Sequence, residues 1–441
     1  MKIKRICLLI MAGMLLSIAA CGPADITKET DMAETQTQKT QEQSPLFNST
    51  YNVVAEACDW GPACTKAIIE LDAQISSEDL CGFRVTETNT NGTVGERDVT
   101  AVYLCDENGN KMDASSRYVA VEMSADPSHG GLFYYDRSRF YNIWDEDYRL
   151  LIEPISPKNS VLKDLAINPK YSERRMPQAA DLFSKAEFQY QETVLKYALY
   201  APASDGKKKP LVIWLHGQGE GGDDLTVALL GNKVTALAGD AIQGALGGAY
   251  VLVPQCPTYW TVNAGDTSAF GMRPHGTSDY EEPLLALINH IVSANSGIDA
   301  DRIYIGGCSM GGYMTVLMAK NHPGLFAAAF PVCEFYEDSF LTDGDIKALA
   351  DMPLWFTYCT SDESVPPRNY SEATIDRLKE AGANRLHVSV FENVHDTTGK
   401  YLNEDGTPYR YHPHWVWTYV YNNECVEGDL NLWQWLALQH K

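Results

Sequence analysis

The sequence predicts an α/β domain on a doubly wound, mainly parallel sheet, preceded by a small all-β sandwich. Three observations carry this. From about Thr193 onward, short apolar runs alternate with amphipathic stretches at helical spacing, as in a parallel sheet covered by helices on both faces. Arg302 to Lys320, RIYIGGCSMGGYMTVLMAK, reads as a strand, a sharp glycine turn and a helix. Between about Phe47 and Pro157 the rhythm changes to short alternating runs separated by turn clusters, as antiparallel strands require.

In the second part, strands are expected over Thr193–Tyr200, Leu211–Leu215, Tyr250–Val253, Arg302–Ile305, Ala327–Val332, Leu354–Tyr358 and Arg385–Phe391. Those from Leu211 onward are mostly apolar, which suits strands buried on both faces. Glu281–Ser296 places Leu284, Leu287, Ile288 and Ile291 on one helical face, and Tyr370–Ala381 and Leu430–His440 are further helices. In the first part, Gly82–Val85, Val99–Cys105 and Tyr118–Met123 read as strands, with turns at Asn89–Gly95 and Asp106–Gly109. That part holds no catalytic constellation, so a structural role is expected for it, with carbohydrate contact as the second reading.

The chain has 441 residues, 45% of them hydrophobic, enough for a large core and two domains. A formal net charge of −23 argues against nucleic-acid partners, because no basic surface exists to neutralise phosphates. Lys2, Lys4 and Arg5 precede an apolar run from Ile6 to Ala20, which reads as an export signal over residues 1–20. Ile18-Ala19-Ala20-Cys21 resembles the lipobox of bacterial lipoproteins, so Cys21 is the expected lipidation site and the membrane a partner through that anchor. Residues 21–46 are polar and read as a tether, 47–157 as the sandwich, 158–185 as a connection and 186–441 as the α/β domain. Outside a reducing compartment, Cys58, Cys64, Cys81 and Cys105 could form two disulfides. Cys256, Cys308, Cys333, Cys359 and Cys425 are odd in number, which leaves at least one without an internal partner.

The chemistry begins at Gly307-Cys308-Ser309-Met310-Gly311, a G-x-S-x-G nucleophile elbow. A serine on a strained strand-to-helix turn is exposed above the sheet, and the flanking glycines let neighbouring backbone come close. Its hydroxyl needs a base and an orienting acid. The acid is expected beyond a later strand, and Leu354–Tyr358 leads to Thr360-Ser361-Asp362-Glu363-Ser364-Val365-Pro366, which points to Asp362. Of the five histidines that follow, His395 lies in the loop after the last expected strand and His414 heads the aromatic run His-Trp-Val-Trp-Thr-Tyr. Position favours His395 and surroundings favour His414, so residue chemistry leaves both open as the base. Met310, just after the nucleophile, would give one oxyanion N–H. Leu211–Leu215 runs into His216-Gly217-Gln218-Gly219-Glu220-Gly221-Gly222, where Gln218 would give the second. His412 and His414 have metal-ligand spacing but no third ligand in register, so no metal site is expected, and the chemistry calls for no cofactor.

These residues resemble the predicted-peptidase and polyhydroxybutyrate-depolymerase-like esterases of the bacterial α/β-hydrolases. The similar stretches are LHGQGEGG (Leu215–Gly222), PQCPTYW (Pro254–Trp260), RIYIGGCSMGGYM (Arg302–Met314) and TSDESVP (Thr360–Pro366). The chain end is similar too, through His414, Trp417, Tyr419, Asn422, Asn423, Trp435 and Leu436, with Pro413 standing where the family carries glycine. The resemblance implies an α/β-hydrolase fold with His414 as the base, and residues from about Tyr51 to Pro157 look like the immunoglobulin-like domain that accompanies some of these esterases. The function it implies is a lipid-anchored serine carboxylesterase outside the cytoplasm, acting on small-molecule or polysaccharide-linked esters. A serine peptidase of the prolyl-oligopeptidase type is the second reading, and a binding protein on a hydrolase fold the third. Tyr259, Trp260 and Trp415 are the expected pocket aromatics.

Overall fold

The computed structural model describes residues 47–265 and 271–441. The expected signal, the Cys21 lipidation site and the tether lie outside the described residues. The first domain contains β1 (Thr50–Cys58), β2 (Gly61–Ile75), β3 (Gly82–Asn89), β4 (Gly92–Arg97), β5 (Val99–Cys105), β6 (Ser116–Met123), β7 (Phe133–Asp136), β8 (Tyr141–Trp144) and β9 (Arg149–Ile155). One sheet runs in the order β10-β1-β2-β6-β5, where β10 (Glu173–Arg175) returns to pair parallel with β1, and a second runs β4-β3-β9. Alternate residues of each sheet turn inward. Tyr51, Val53, Ile69, Val119 and Val121 of the first meet Phe83, Val85, Leu150 and Ile152 of the second in one core. Strands β7 and β8 form a separate hairpin beside this sandwich, with Tyr135 opposite Asn142.

The second sheet system has the order β11-β12-β14-β13-β15-β16-β17-β18. Its strands are β11 (Phe183–Tyr190), β12 (Thr193–Tyr200), β13 (Lys209–Leu215), β14 (Tyr250–Gln255), β15 (Ile298–Cys308), β16 (Ala328–Val332), β17 (Leu354–Cys359) and β18 (Leu386–Phe391). β11, β12 and β14 pair antiparallel, and every pairing from β14 through β18 is parallel. Along β13, Val212 and Trp214 face one core while Leu211, Ile213 and Leu215 face the other. Helices Glu281–Ala294 and Met310–Asn321 cover the second face, and Leu225–Leu230, Asp240–Leu246, Trp417–Tyr421 and Leu432–Ala437 the first. Both faces of the sheet are therefore covered, which is why its central strands are continuous apolar runs rather than alternating ones. This is an α/β-hydrolase fold preceded by an immunoglobulin-like domain.

Two expectations are corrected. The segment read as a polar connection carries β10 and the start of β11; both are edge strands, and their polar sequences hid them because one side of an edge meets water. The four cysteines of the sandwich are all free, as are the other described ones. They are sequestered apart: Cys64 lies in the sandwich core, Cys105 in a small cluster on the other side of its sheet, and Cys58 beside the Tyr401 hydroxyl.

Candidate active site

The elbow is forced by its glycines. β15 ends at Cys308 and the helix Met310–Asn321 begins one residue later, so Ser309 must reverse the chain alone. It does so at φ 54° and ψ −114°, a conformation that costs a non-glycine residue about 1–3 kcal/mol and is held by its surroundings. Here the Ser309 N–H donates to the Val332 carbonyl at 3.0 Å, and the Ser309 carbonyl accepts from the N–H groups of Tyr313 and Phe335 at 2.9 and 3.2 Å. A Cβ at Gly307 would stand 2.5 Å from the Leu215 carbonyl oxygen, and one at Gly311 only 2.0 Å from the same atom. The elbow and the end of β13 thus touch backbone to backbone.

Beyond β17, Asp362 turns back into the protein, 4% exposed, and its Oδ1 accepts from the N–H groups of Ser364 and Val365 at 2.9 and 3.1 Å. Its other oxygen, Oδ2, lies 2.6 Å from His414 Nδ1. A carboxylate only accepts, so Nδ1 carries the proton of this bond, and in the neutral imidazole Nε2 is the ring's acceptor. His414 sits in the short turn Pro413–Trp415, where Pro413 fits the first turn position and His412 Nδ1 accepts from the His414 N–H at 3.1 Å. Trp417 stands edge-on to its ring, with centroids 5.4 Å apart. Ser309, Met310, His414 and Gln218 all line one pocket of about 500 Å³. No hydrogen bond joins Ser309 to His414 among the described residues; such bonds commonly tighten only with substrate in place. His395 is absent from the lining, and its Nδ1 lies 2.9 Å from the Tyr419 hydroxyl and 3.1 Å from Asn393 Oδ1.

Met310 and Gln218, the two expected oxyanion donors, both line this pocket. Met310 is the first residue of its helix, whose initial N–H groups have no acceptor within the helix. Gln218 opens the turn Gln218–Glu220 after β13. His216 anchors that loop from below: its Nε2 accepts the Cys256 N–H at 2.9 Å and its Nδ1 donates to the Gly217 carbonyl at 2.6 Å. Burial pushes His216 down to about 4, so it stays neutral and keeps this tautomer. Cys308 beside the nucleophile is buried and held as a thiol well above its ordinary range by desolvation, which fits a spacer rather than a reactive thiolate.

Of the expected aromatics, only Trp415 lines this pocket. Trp260 is fully buried under the loop, donating its indole N–H to the His216 carbonyl at 3.1 Å, and Tyr259 lines a different cavity near Arg139 and Tyr141. The wall that residue chemistry missed comes from the first domain: Asp59 and Trp60 of the turn after β1 and Tyr135 and Asn142 of the β7–β8 hairpin reach the pocket, joined by Glu220, Asn232 and Phe335. The first-domain residues carry no motif, and only docking of the two domains brings them within reach of Ser309.

Fold and site together are those of a serine hydrolase of the α/β-hydrolase class. Comparison with known proteins agrees with both halves. Residues 50–158 match the family described as the esterase immunoglobulin-like N-terminal domain, and residues 271–346 match the prolyl oligopeptidase family. The chain is similar to poly(3-hydroxyalkanoate) depolymerase C of Paucimonas lemoignei, 24% identical over 186 residues, which cover 42% of this chain and 43% of the depolymerase. It is also similar to the crystal structure of a thermostable esterase, at 25% identity and a TM-score of 0.67, with 89% of this chain and all of the other covered.

Proposed function

We propose that the chain hydrolyses carboxylic esters through Ser309, His414 and Asp362. The observation that carries this is the 2.6 Å contact of His414 Nδ1 with buried Asp362, in the pocket that Ser309 lines. Ser309 Oγ attacks the acyl carbon while its proton passes to His414 Nε2; the carbonyl oxygen becomes an oxyanion received by the Met310 and Gln218 N–H groups. His414 then protonates the leaving alcohol as the C–O bond breaks. Water attacks the acyl-serine, gives its proton to His414, and the acid departs as Ser309 is restored. No cofactor enters. Likeness to an esterase and to a polyester depolymerase supports an ester substrate, either a small molecule or a group attached to a polymer. Ser309→Ala should lower hydrolysis of a p-nitrophenyl ester by about 10⁶-fold with the fold unchanged by circular dichroism. Retained turnover sinks the mechanism.

The match to the prolyl oligopeptidase family favours amide cleavage as a second reading. A β-sandwich rather than a propeller precedes this catalytic domain, so the ester reading is preferred. Strong cleavage of peptide amides with negligible esterase activity would reverse that preference. We place the enzyme outside the cytoplasm on a lipid at Cys21, from the lipobox alone; Cys21→Ser should abolish labelling by a fatty-acid probe, and unchanged labelling would exclude this anchor.

A further inference from the structure

The loop that offers the Gln218 N–H is gripped by the other domain. Tyr135 and Asn142 are cross-strand partners on the β7–β8 hairpin, and they hold the two side chains that flank Gly219. Gln218 Nε2 donates to the Tyr135 hydroxyl at 3.0 Å, and Asn142 Nδ2 donates to Glu220 Oε1 at 2.7 Å. Two residues along the same strand, the Trp144 indole N–H reaches Thr226 Oγ1 at 2.9 Å. Strand periodicity puts Asn142 and Trp144 on one face, so one face of the hairpin meets both the loop and the helix Leu225–Leu230 that follows it.

Glu220 is the link between that grip and the elbow. It is 4% exposed, and a buried carboxyl is costly without donors. Burial pushes it up to about 7 even though, besides Asn142, the Asn232 amide and the Gly217 and Glu220 backbone N–H groups favour its charged form, while Gln255 Nε2 donates to the Glu220 carbonyl at 3.0 Å. The carboxyl is wedged beneath the loop: a Cβ on Gly217 would sit 3.2 Å from Glu220 Oε2 and 3.6 Å from Cys308 Sγ, and one on Gly231 would sit 2.9 Å from Glu220 Cγ. The loop itself has no slack, since a Cβ at Gly219 would come within 2.6 Å of Asn142 Nδ2 and one at Gly221 within 2.1 Å of the Thr258 carbonyl oxygen. Movement of the Glu220 carboxyl therefore moves the backbone that carries the Gln218 N–H.

We propose that Asn142 of the immunoglobulin-like domain is a positioning residue for ester hydrolysis, which fixes the oxyanion loop by holding the Glu220 carboxyl beneath it. This rests on the esterase reading above. Asn142 acts through Glu220 and not on the reacting atoms, so its removal affects the transition state, where the oxyanion forms, more than ground-state binding. The placement also explains why a domain with no catalytic group of its own forms a wall of the pocket.

The test is a donor–acceptor exchange in the full chain, with kcat and KM for a p-nitrophenyl ester and thermal unfolding measured on each variant. Asn142→Ala should lower kcat by about 10- to 100-fold with KM within about twofold. Asn142→Asp removes the donor and sets a second carboxyl against Glu220, which burial already raises to about 7; at a pH high enough to ionise both, the variant should lose at least as much. Adding Glu220→Gln to Asn142→Asp reverses the polarity of the bond, since the amide introduced at position 220 becomes the donor, and should recover about tenfold in kcat over Asn142→Asp alone. A merely structural contact would lower the unfolding temperature without that recovery. If Asn142→Ala fails to fold, the isosteric pair decides. Wild-type kcat in both Asn142→Asp and Asn142→Ala, or a double variant no better than Asn142→Asp, overturns the proposal. Ser309→Ala, assayed alongside, separates this from failure of the esterase reading: if it stays active, the mechanism itself is wrong.

Discussion

The two halves of the proposed oxyanion site are built in opposite ways. The elbow is local: five consecutive residues, a strand before them and a helix after them place Ser309 and the Met310 N–H, and the glycines make room for backbone. The Gln218 half is assembled from afar, by His216 against Cys256, by Glu220 against Asn142, and by Gln218 against Tyr135 of another domain. A local turn is specified by its own dihedrals and sterics, whereas a loop braced by distant side chains is only as fixed as the docking that supplies them. Mutations in the first half should therefore be all-or-none, and those in the second graded.

The sharpest contrast should come from Gly311→Ala, whose methyl would meet the Leu215 carbonyl oxygen at 2.0 Å; we expect no active, soluble enzyme, and normal activity would mean that the elbow can relax. Next, Asp362→Asn should preserve folding yet lower kcat by about 10⁴-fold, because the amide favours the wrong His414 tautomer. His395→Ala, measured beside it, should stay within about threefold of wild type; the reverse pattern would make His395 the base. Gly219→Ala pushes against the end of the Asn142 side chain, 2.6 Å away, rather than against backbone, and should cost about 10- to 100-fold in kcat. A loss as complete as that of Gly311→Ala would erase the distinction between the two halves.

The smallest effect concerns pH. Glu334, next to the elbow helix at Gly312, accepts from the Tyr336 N–H at 2.6 Å and from Ser371 Oγ at 3.2 Å, and burial pushes it up to about 8 from an ordinary 4.5. The folded protein therefore holds this proton more tightly than the unfolded chain. Its contribution to stability is full below the ordinary carboxyl range and is lost as pH rises through about 8. The unfolding temperature should fall by a few degrees across that window, and less in Glu334→Gln. His216 works with the opposite sign: pushed down to about 4 by burial, it contributes stability above about 6.5 that is lost on acidification. Equal slopes for Glu334→Gln and wild type would show that Glu334 does not titrate in this range.

Much of the parallel sheet was legible because its strands are buried on both faces and read as plain apolar runs, as in Leu354–Cys359. The edge strands Phe183–Tyr190 and Glu173–Arg175 were not, since an edge exposes polar residues that look like a linker. Ser309, Met310, Asp362 and Gln218 could be named from motif and chain order. Between His395 and His414 the chain alone could not choose, because both follow the last strand at distances a loop can span. In the structure only His414 meets Asp362, while His395 turns to Tyr419.

The elbow follows from local sequence, since glycines at 307 and 311 and the strand-to-helix switch act within a few residues of one another. Tertiary structure alone decided the rest of the pocket. Asp59, Trp60, Tyr135 and Asn142 are ordinary hairpin and turn residues until the first domain docks on the loop after β13. Asn142 and Glu220 lie 78 residues apart in the chain, and no local propensity records a hydrogen bond across that distance.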